Sequence, residues 1–495
     1  MLHNLLNSPL LTWRDPGRHR GATTLPGILS HLATGELGDF PRLRTHQLHP
    51  WCMFLTQLAA IALHRAGQTD PRLDEDAWRE LLLALTAGRH EPWCLVVEDL
   101  EQPAFFQPPV PEGTMDDHWK AQVSPDDIDV LATAKAHDVK MSLVPSDDVE
   151  AWAYALVTLQ TIQGVYGAGK YGVARMNGGY GSRCRVGYSP DATLSARFRR
   201  DVGVLLEFWP DQLARGYRDD GVALVWTERW DGTGAFSIGD LAPYFIEICR
   251  RVRLVADDHG LAFRGTTSRG RRCLTEIRGG DVGDPWIPIA RDKGTALSVT
   301  GRGFHYELLV RLLFESEFAP PPTQHLRNED PDPLLFVAAG LARGEGGTEG
   351  LHERVLVLAG PIRWRLGKPD TRAPVGRRAG DRVASAQTMR SKVLYPALKQ
   401  LGAVAEDEFD ACVDKVFFDH LFSTLDDADE DARLAWERLL RDMAQTELQR
   451  AISRSALPSA RRFKVTSAAE GMFAGCLRKN FPDLQSPQEA QGVSS

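Results

Sequence analysis

The sequence predicts an α+β protein: a large mixed α/β N-terminal body over residues 1–369, a C-terminal antiparallel four-helix bundle over 370–481, and a disordered tail over 482–495. Three observations predict it. Residues 222–310 alternate short apolar runs (ALVW at 223, FIEI at 245, LSVT at 297) with turn residues, the pattern of strands and hairpins. Upstream, several segments carry apolar residues at helical spacing. Beyond Pro369, the stretches Ala384 to Leu401, Asp407 to Leu425, Asp429 to Ser453 and Ala460 to Asn480 all read as amphipathic helices with short connections, which is how a bundle is written.

Taken in order, residues 3–15 read as a short apolar strand. His49 to Ala66 and Asp74 to Ala87 follow as core helices, the second with acids at its start, where the helix dipole favours them. Leu95 to Val97 is strand-like, and the proline-rich run Pro103 to Gly113 predicts an irregular linker. Residues 126–144 carry no clear period and read as a mobile loop, ordinary or functional. Ser146 is the predicted N-cap of a buried helix, Asp147 to Ile162, and Leu194 to Phe208 supplies another helix behind it.

Composition narrows the function classes. The chain of 495 residues is 43% hydrophobic and 25% charged, has no apolar run long enough to span a bilayer, and begins without the features of a signal peptide, so a cytoplasmic protein is expected. Seven scattered cysteines without a C-x-x-C pair indicate neither a disulfide framework nor a cysteine zinc site. A net charge of −8 confines any nucleic-acid contact to a local patch. One basic stretch exists: residues 262–303 hold Arg264, Arg269, Arg271, Arg272, Arg278, Arg291, Lys293 and Arg302 against Glu276, Asp281, Asp284 and Asp292.

The chemically suggestive stretch runs from Gly164 to Arg183, with seven glycines, three tyrosines, three basic residues (Lys170, Arg175, Arg183) and no acid. Glycine lets a second backbone come close, and one sign of charge raises the local potential, so the segment suits a polyanion. A solvent-filled loop would share the glycines. GVYGAGK, Gly164 to Lys170, also matches the start of a phosphate-cradling loop. However, Tyr171 stands where a Ser or Thr should ligate Mg²⁺, and the segment follows a helix instead of a strand. A nucleotide-binding P-loop enzyme is therefore the alternative reading. A second glycine-rich segment, ARGEGGTEGLHER from Ala342 to Arg354, lies between the strand-like runs LLFVA at 334 and VLVLAG at 355, as the tip of a hairpin would. The 14 histidines form no recognisable catalytic set.

Four segments together resemble one family. NLLNSPLLTWRD near the start, IDVLATAKAHDVK at 128, LQTIQGVYGAGKYGVARMNGGYGSR at 159 and ARGEGGTEGLHER at 342, followed by the helical bundle, are similar in content and order to the CasA family, the large subunit of type I-E CRISPR Cascade. The resemblance implies a non-catalytic subunit. It would recognise the protospacer-adjacent motif (PAM) of double-stranded target DNA from the minor groove and start strand separation for R-loop formation. Its implied partners are crRNA, the small, backbone, crRNA-end and crRNA-processing subunits, and a recruited helicase-nuclease. Some members carry a cysteine-bound zinc, for which this sequence lacks the ligands, so no metal is expected here, and no cofactor or membrane is implied.

Carried over by motif, the DNA-facing glycine loop is Gly164, Tyr166, Gly167, Ala168, Gly169, Lys170 and Tyr171, with Arg175 and Asn177. The basic finger comes from Arg271, Arg272 or Arg278, and the wedge from Gly346, Gly347, Thr348 and Glu349. Lys135, His137 and Lys140 fall in the family's flexible loop near the motif and crRNA. Glu345 and Gly347 make this wedge loop less basic than in many members. The residue types suit the task, since a minor groove about 6 Å wide admits backbone and thin side chains, and a hairpin can replace lost stacking.

Overall fold

The computed structural model describes all residues except 131–143, 177–178, 259, 274–278, 345–346, 403–407, 456–458 and 485–495. The chain divides into two compact units, Met1–Phe304 with Glu317–Ala359, and His305–Ser316 with Gly360–Ser495. The second unit thus begins ahead of Pro369 and takes in a separate upstream helix.

The first unit is built around the helix Thr45–Arg65, whose side chains are buried on nearly all sides from His49 to Leu63. A helix apolar all round must be enclosed. The helices Val149–Ile162 and Leu194–Glu207 and the strand Leu241–Ile246 enclose it. Trp51 meets Tyr154 edge-on at 4.8 Å, and Phe54 meets Phe106 at 5.2 Å. Full burial of such side chains contributes about 1.5–3 kcal/mol each.

Two three-stranded sheets carry the loops of interest. In one, Gly260–Thr266 lies between Lys120–Gln122 and Arg251–Asp257, antiparallel to both. In the other, Leu334–Gly344 lies between Gly347–Leu358 and Arg185–Ser189, with Arg343 opposite Thr348 and Gly344 opposite Gly347. The predicted hairpin is therefore present, with a bulge between Ala342 and Arg343.

Several local expectations change. The helix at 149 is capped by Asp148, whose carboxylate accepts from Ala151 N–H, and not by Ser146. Pro103 to Gly113 is irregular but is no linker: Phe105 and Phe106 are fully buried, and Phe106 stacks on Trp226 at 4.5 Å. The apolar run at 297 lies outside the strand Thr295–Ala296; Leu297 and Val299 are apolar because they are buried. A helix unmarked in the sequence, Leu25–Thr34, starts on the Thr24 cap and ends at Gly35 in a left-handed conformation (φ 93°).

The second unit is helical. Pro369–Thr388 runs through a π-helical segment, Met389–Leu394, into Tyr395–Gln400, so the predicted helix at 384 starts earlier. Pro374, Gly376 and Gly380 disguised its first turns, and Gly376 sits where an added Cβ would come 3.2 Å from Phe314 O. Glu408–Ser423, Asp429–Arg454 and Ser459–Asn480 follow, and in the core Tyr306 stacks on Phe417 at 4.9 Å while Phe417 meets Trp436 edge-on at 5.5 Å. The predicted tail lies largely outside the described residues.

Candidate nucleic-acid interface

The end of helix Val149–Ile162 fixes the base of the glycine segment. Gln160 donates to Phe106 O and Arg250 O, and accepts from the N–H groups of Cys249 and Arg250. Arg250 in turn donates to Gln163 Oε1 at 2.8 Å and Gly164 O at 3.2 Å. With its exit held, the chain folds back on itself, and the glycines divide into two kinds. Gly164, Gly172 and Gly181 form a packed floor: an added Cβ at Gly164 would stand 2.5 Å from Gly181 O, and one at Gly172 would stand 2.5 Å from the Gly164 carbonyl carbon. Gly167, with φ 154°, has open space where its side chain would be.

Above this floor stands a small turn. Tyr166 N–H donates to Lys170 O and Lys170 N–H to Gly167 O, both at 3.0 Å. Ser268 N–H donates to Gly169 O at 2.9 Å, which braces the turn against the 266–270 segment, and a Cβ on Gly169 would collide with Thr267. Tyr171, half-buried, donates from its hydroxyl to Arg269 O at 3.4 Å. Gly167, Ala168 and Lys170 are exposed, and Tyr166 is 48% exposed. The Lys170 ammonium lies 5.4 Å from the Tyr166 ring centroid and the Arg343 guanidinium 5.5 Å from it. Lys170 closes a turn and opens no helix, so the geometry lacks the strand-to-helix passage that a P-loop requires.

Two of the predicted basic contacts are corrected. Arg175 is 2% exposed: it pairs with Glu247 at 2.6 Å and Asp284 at 2.8 Å and covers the Phe245 ring. Its place is beneath the turn, where it anchors the fold. Arg183 is buried beside it on Asp284, and burial pulls its guanidinium pKa down to about 10. Arg272 is likewise buried, donating to the carbonyls of Glu228, Arg229 and Gly234 and packing over Phe236, which removes it as a finger. Arg271 stays half-exposed. Arg278, Asn177, Lys135, His137 and Lys140 lie outside the described residues.

The hairpin comes to the same place. Thr348 is buried and donates from Oγ1 to Val130 O at 2.8 Å, while Leu341 and Leu351 pack with Val130 and Ile162. Thr348 is thus an anchor and not an exposed tip. Glu349 is exposed, with Gly347 paired in the ladder and Gly346 outside the described residues. Sequence reasoning missed Arg343 as a site residue. Nε and Nη1 of this half-buried group find no acceptor among the described residues, and burial followed by the like charge of Arg250 lowers its pKa. Its signal was its position at the mouth of the second glycine cluster. Beside the turn a cavity of about 370 Å³ is lined by Lys120, Tyr166, Lys170, Arg250, Arg251 and others. Among the described residues no group of three or more His, Cys, Asp or Glu could hold a metal ion.

No family model and no curated protein matches the sequence. Solved structures do match. CasA (Cse1) of Thermus thermophilus is 13% identical with a TM-score of 0.62, covering 96% of this chain and 100% of that one. Cse1 of Acidimicrobium ferrooxidans is 15% identical with a TM-score of 0.63, covering 98% and 99%. A chain of a CRISPR RNA-guided surveillance complex is 15% identical with a TM-score of 0.57, covering 96% and 99%. Over essentially its whole length, this chain has the fold of the Cse1/CasA proteins.

Proposed function

We propose that this protein is the non-catalytic large subunit of a type I-E Cascade complex, which recognises the protospacer-adjacent motif in duplex DNA from the minor groove and starts strand separation. The observation that carries the reading is the exposed Tyr166–Lys170 turn set against Arg343 beside the tip of the hairpin. A thin backbone turn with exposed Gly167 and Ala168 can enter a groove about 6 Å wide and approach base edges, while Lys170, Arg343 and the exposed Lys120 offer charge to phosphates. Shape then does much of the discrimination, since the groove's donor and acceptor pattern is degenerate. The hairpin tip beside the exposed Glu349 acts as the wedge, and the resemblance assigns Lys135, His137 and Lys140 to the neighbourhood of the motif and crRNA. Guide pairing roughly balances the duplex it displaces, so the protein needs to supply only the start.

The full-length match to a chain of a surveillance complex supports membership in an assembly with crRNA and other subunits; recruitment of a helicase-nuclease after R-loop formation is proposed on the family resemblance alone. No described helix is long and apolar enough to cross a membrane, and we place the complex in the cytoplasm. The test is binding by the assembled complex carrying Gly167→Trp, a position with open space around it. Affinity for motif-bearing duplex should fall about tenfold, roughly 1.4 kcal/mol, with pairing to single-stranded target unchanged. Equal loss on both substrates overturns the reading.

A further inference from the structure

In the helical unit, a cavity of about 550 Å³ lies among the helices Gly360–Leu366, Pro369–Thr388 and Asp429–Arg454, far in sequence from the glycine turn and independent of its reading. Three of its arginines are already neutralised: Arg365 pairs with Asp426 at 2.6 Å, Arg378 with Asp429, and Arg433 with Glu430 and Asp483 at 2.6 and 2.8 Å. Arg382 is different. It is 3% exposed, lines the cavity, and donates from Nη2 to Thr424 Oγ1, yet Nε and Nη1 have no acceptor. No carboxylate pairs with it among the described residues. The ring of Trp436, 5.8 Å from its guanidinium carbon, backs it, and Trp436 Nε1 is spent on the Arg382 carbonyl. His420, packed on the same tryptophan, supplies no anion.

A guanidinium taken out of water is tolerated when paired and hydrogen-bonded, and an incomplete set of acceptors beside an open cavity marks the missing group as an anion. The surroundings decide which anion. Asp370 and Asp381 also line the cavity outside those pairs, against the exposed Arg377, and these two acids disfavour a phosphodiester backbone while leaving room for a single negative charge. Trp364, 60% exposed, stands with them and offers the kind of aromatic surface that anchors protein contacts.

We propose that this cavity receives one Asp or Glu side chain from a protein partner, its carboxylate completing the hydrogen bonds of Arg382. Burial, followed by the like charge of Arg378, lowers the Arg382 pKa to about 10 against the opposing attraction of Asp427, so the guanidinium remains charged at neutral pH.

The test is thermal unfolding of the full chain with N-acetylglutamate and N-acetylglutamine, both with the α-carboxyl blocked as the N-methylamide so that the first carries one negative charge and the second none, and with inorganic phosphate, at matched ionic strength. N-acetylglutamate should raise Tm in a saturable way, and N-acetylglutamine should not, because a ligand stabilises only through what it binds in the folded state. Arg382→Gln should abolish the shift. Asp381→Asn, an exposed change that leaves Arg382 in place, should strengthen N-acetylglutamate binding several-fold and keeps the proposal testable if Arg382→Gln misfolds. An equal response to N-acetylglutamine, or no response by the unaltered chain, overturns the proposal. A stronger response to phosphate overturns it in favour of a nucleic-acid contact.

Discussion

The guanidinium of Arg343 lies 5.5 Å from the ring of Tyr166, so a side chain from the hairpin meets one from the glycine turn. The two glycine-rich segments, far apart in sequence, thereby form one surface. Exposed cation–π contacts are worth about 0.5–1 kcal/mol, and groups in contact do not act additively. Tyr166→Ala and Arg343→Ala should therefore show a coupling of about 0.5 kcal/mol or more in motif-dependent DNA binding. A double-mutant cycle measures it, and strict additivity would count against a shared site.

Lys170 is the exposed cation of the turn. Removing one phosphate contact lowers the slope of log affinity against log salt by about one. Lys170→Ala should show that change, whereas Arg175→Met should leave the slope alone. The latter strips Glu247 of its buried partner and should cost about 3–5 kcal/mol of stability. Salt titrations and denaturant unfolding separate the two, and a slope change for Arg175→Met would return that residue to the interface.

These contrasts show which parts of the site were legible in the sequence. The hairpin was, because two apolar runs flank a glycine cluster, and so was the helix before the glycine turn, because its composition admits only burial. The division of the glycines was not. Gly172 and Gly167 are the same letter, yet one crosses backbone and the other faces open space. Nor could the sequence distinguish Arg175 from Lys170, since burial of Arg175 depends on Glu247 and Asp284, which only the fold brings near. Arg272 was hidden for the same reason: its acceptors are backbone carbonyls of another loop. Arg343 was missed as a site residue because its contact with Tyr166 is tertiary.

The floor glycines make a stability prediction of their own. A methyl at Gly172 would press on the Gly164 backbone, and overpacking of this kind typically costs about 1–3 kcal/mol. Gly167→Ala meets no atom, and only its φ of 154° opposes it. Gly172→Ala should thus lower Tm clearly more than Gly167→Ala, as thermal unfolding of the two variants will show. The reverse order would mean that the crossing is looser than the distances imply.

His49 gives the protein a pH dependence. It is buried, and burial, followed by the like charge of His46, outweighs a backbone hydrogen bond at Arg183 and pulls its pKa down to about 3. Below about pH 6.5 the unfolded chain binds a proton that the folded chain refuses, so stability falls as pH drops from 6.5 towards 3. The slope from this group is about 1.4 kcal/mol per unit. Unfolding at pH 7 and pH 5 should therefore differ by about 2 kcal/mol more in the unaltered protein than in His49→Leu. Identical differences would show that the imidazole is hydrated after all.

The wedge proposed for the hairpin tip can be tested through the residue that holds it. A wedge needs a stiff base, and here stiffness comes from Thr348, whose hydroxyl donates to Val130 O while Leu341 and Leu351 pack against Ile162. Thr348→Val keeps the volume and removes the donor, leaving a buried carbonyl without that partner at a cost of about 1–3 kcal/mol. The exposed neighbour Glu349 should be indifferent to that loss, so the tip keeps its chemistry but not its aim. Unstacking a first base pair costs a few kcal/mol, and a loosened tip recovers less of it. Thr348→Val should therefore slow R-loop opening on intact duplex several-fold, and a target pre-melted as a bubble over its first pairs should restore the rate. Stopped-flow opening assays on the two substrates decide it. If the bubble gives no rescue, the hairpin contributes to assembly and the wedge assignment falls.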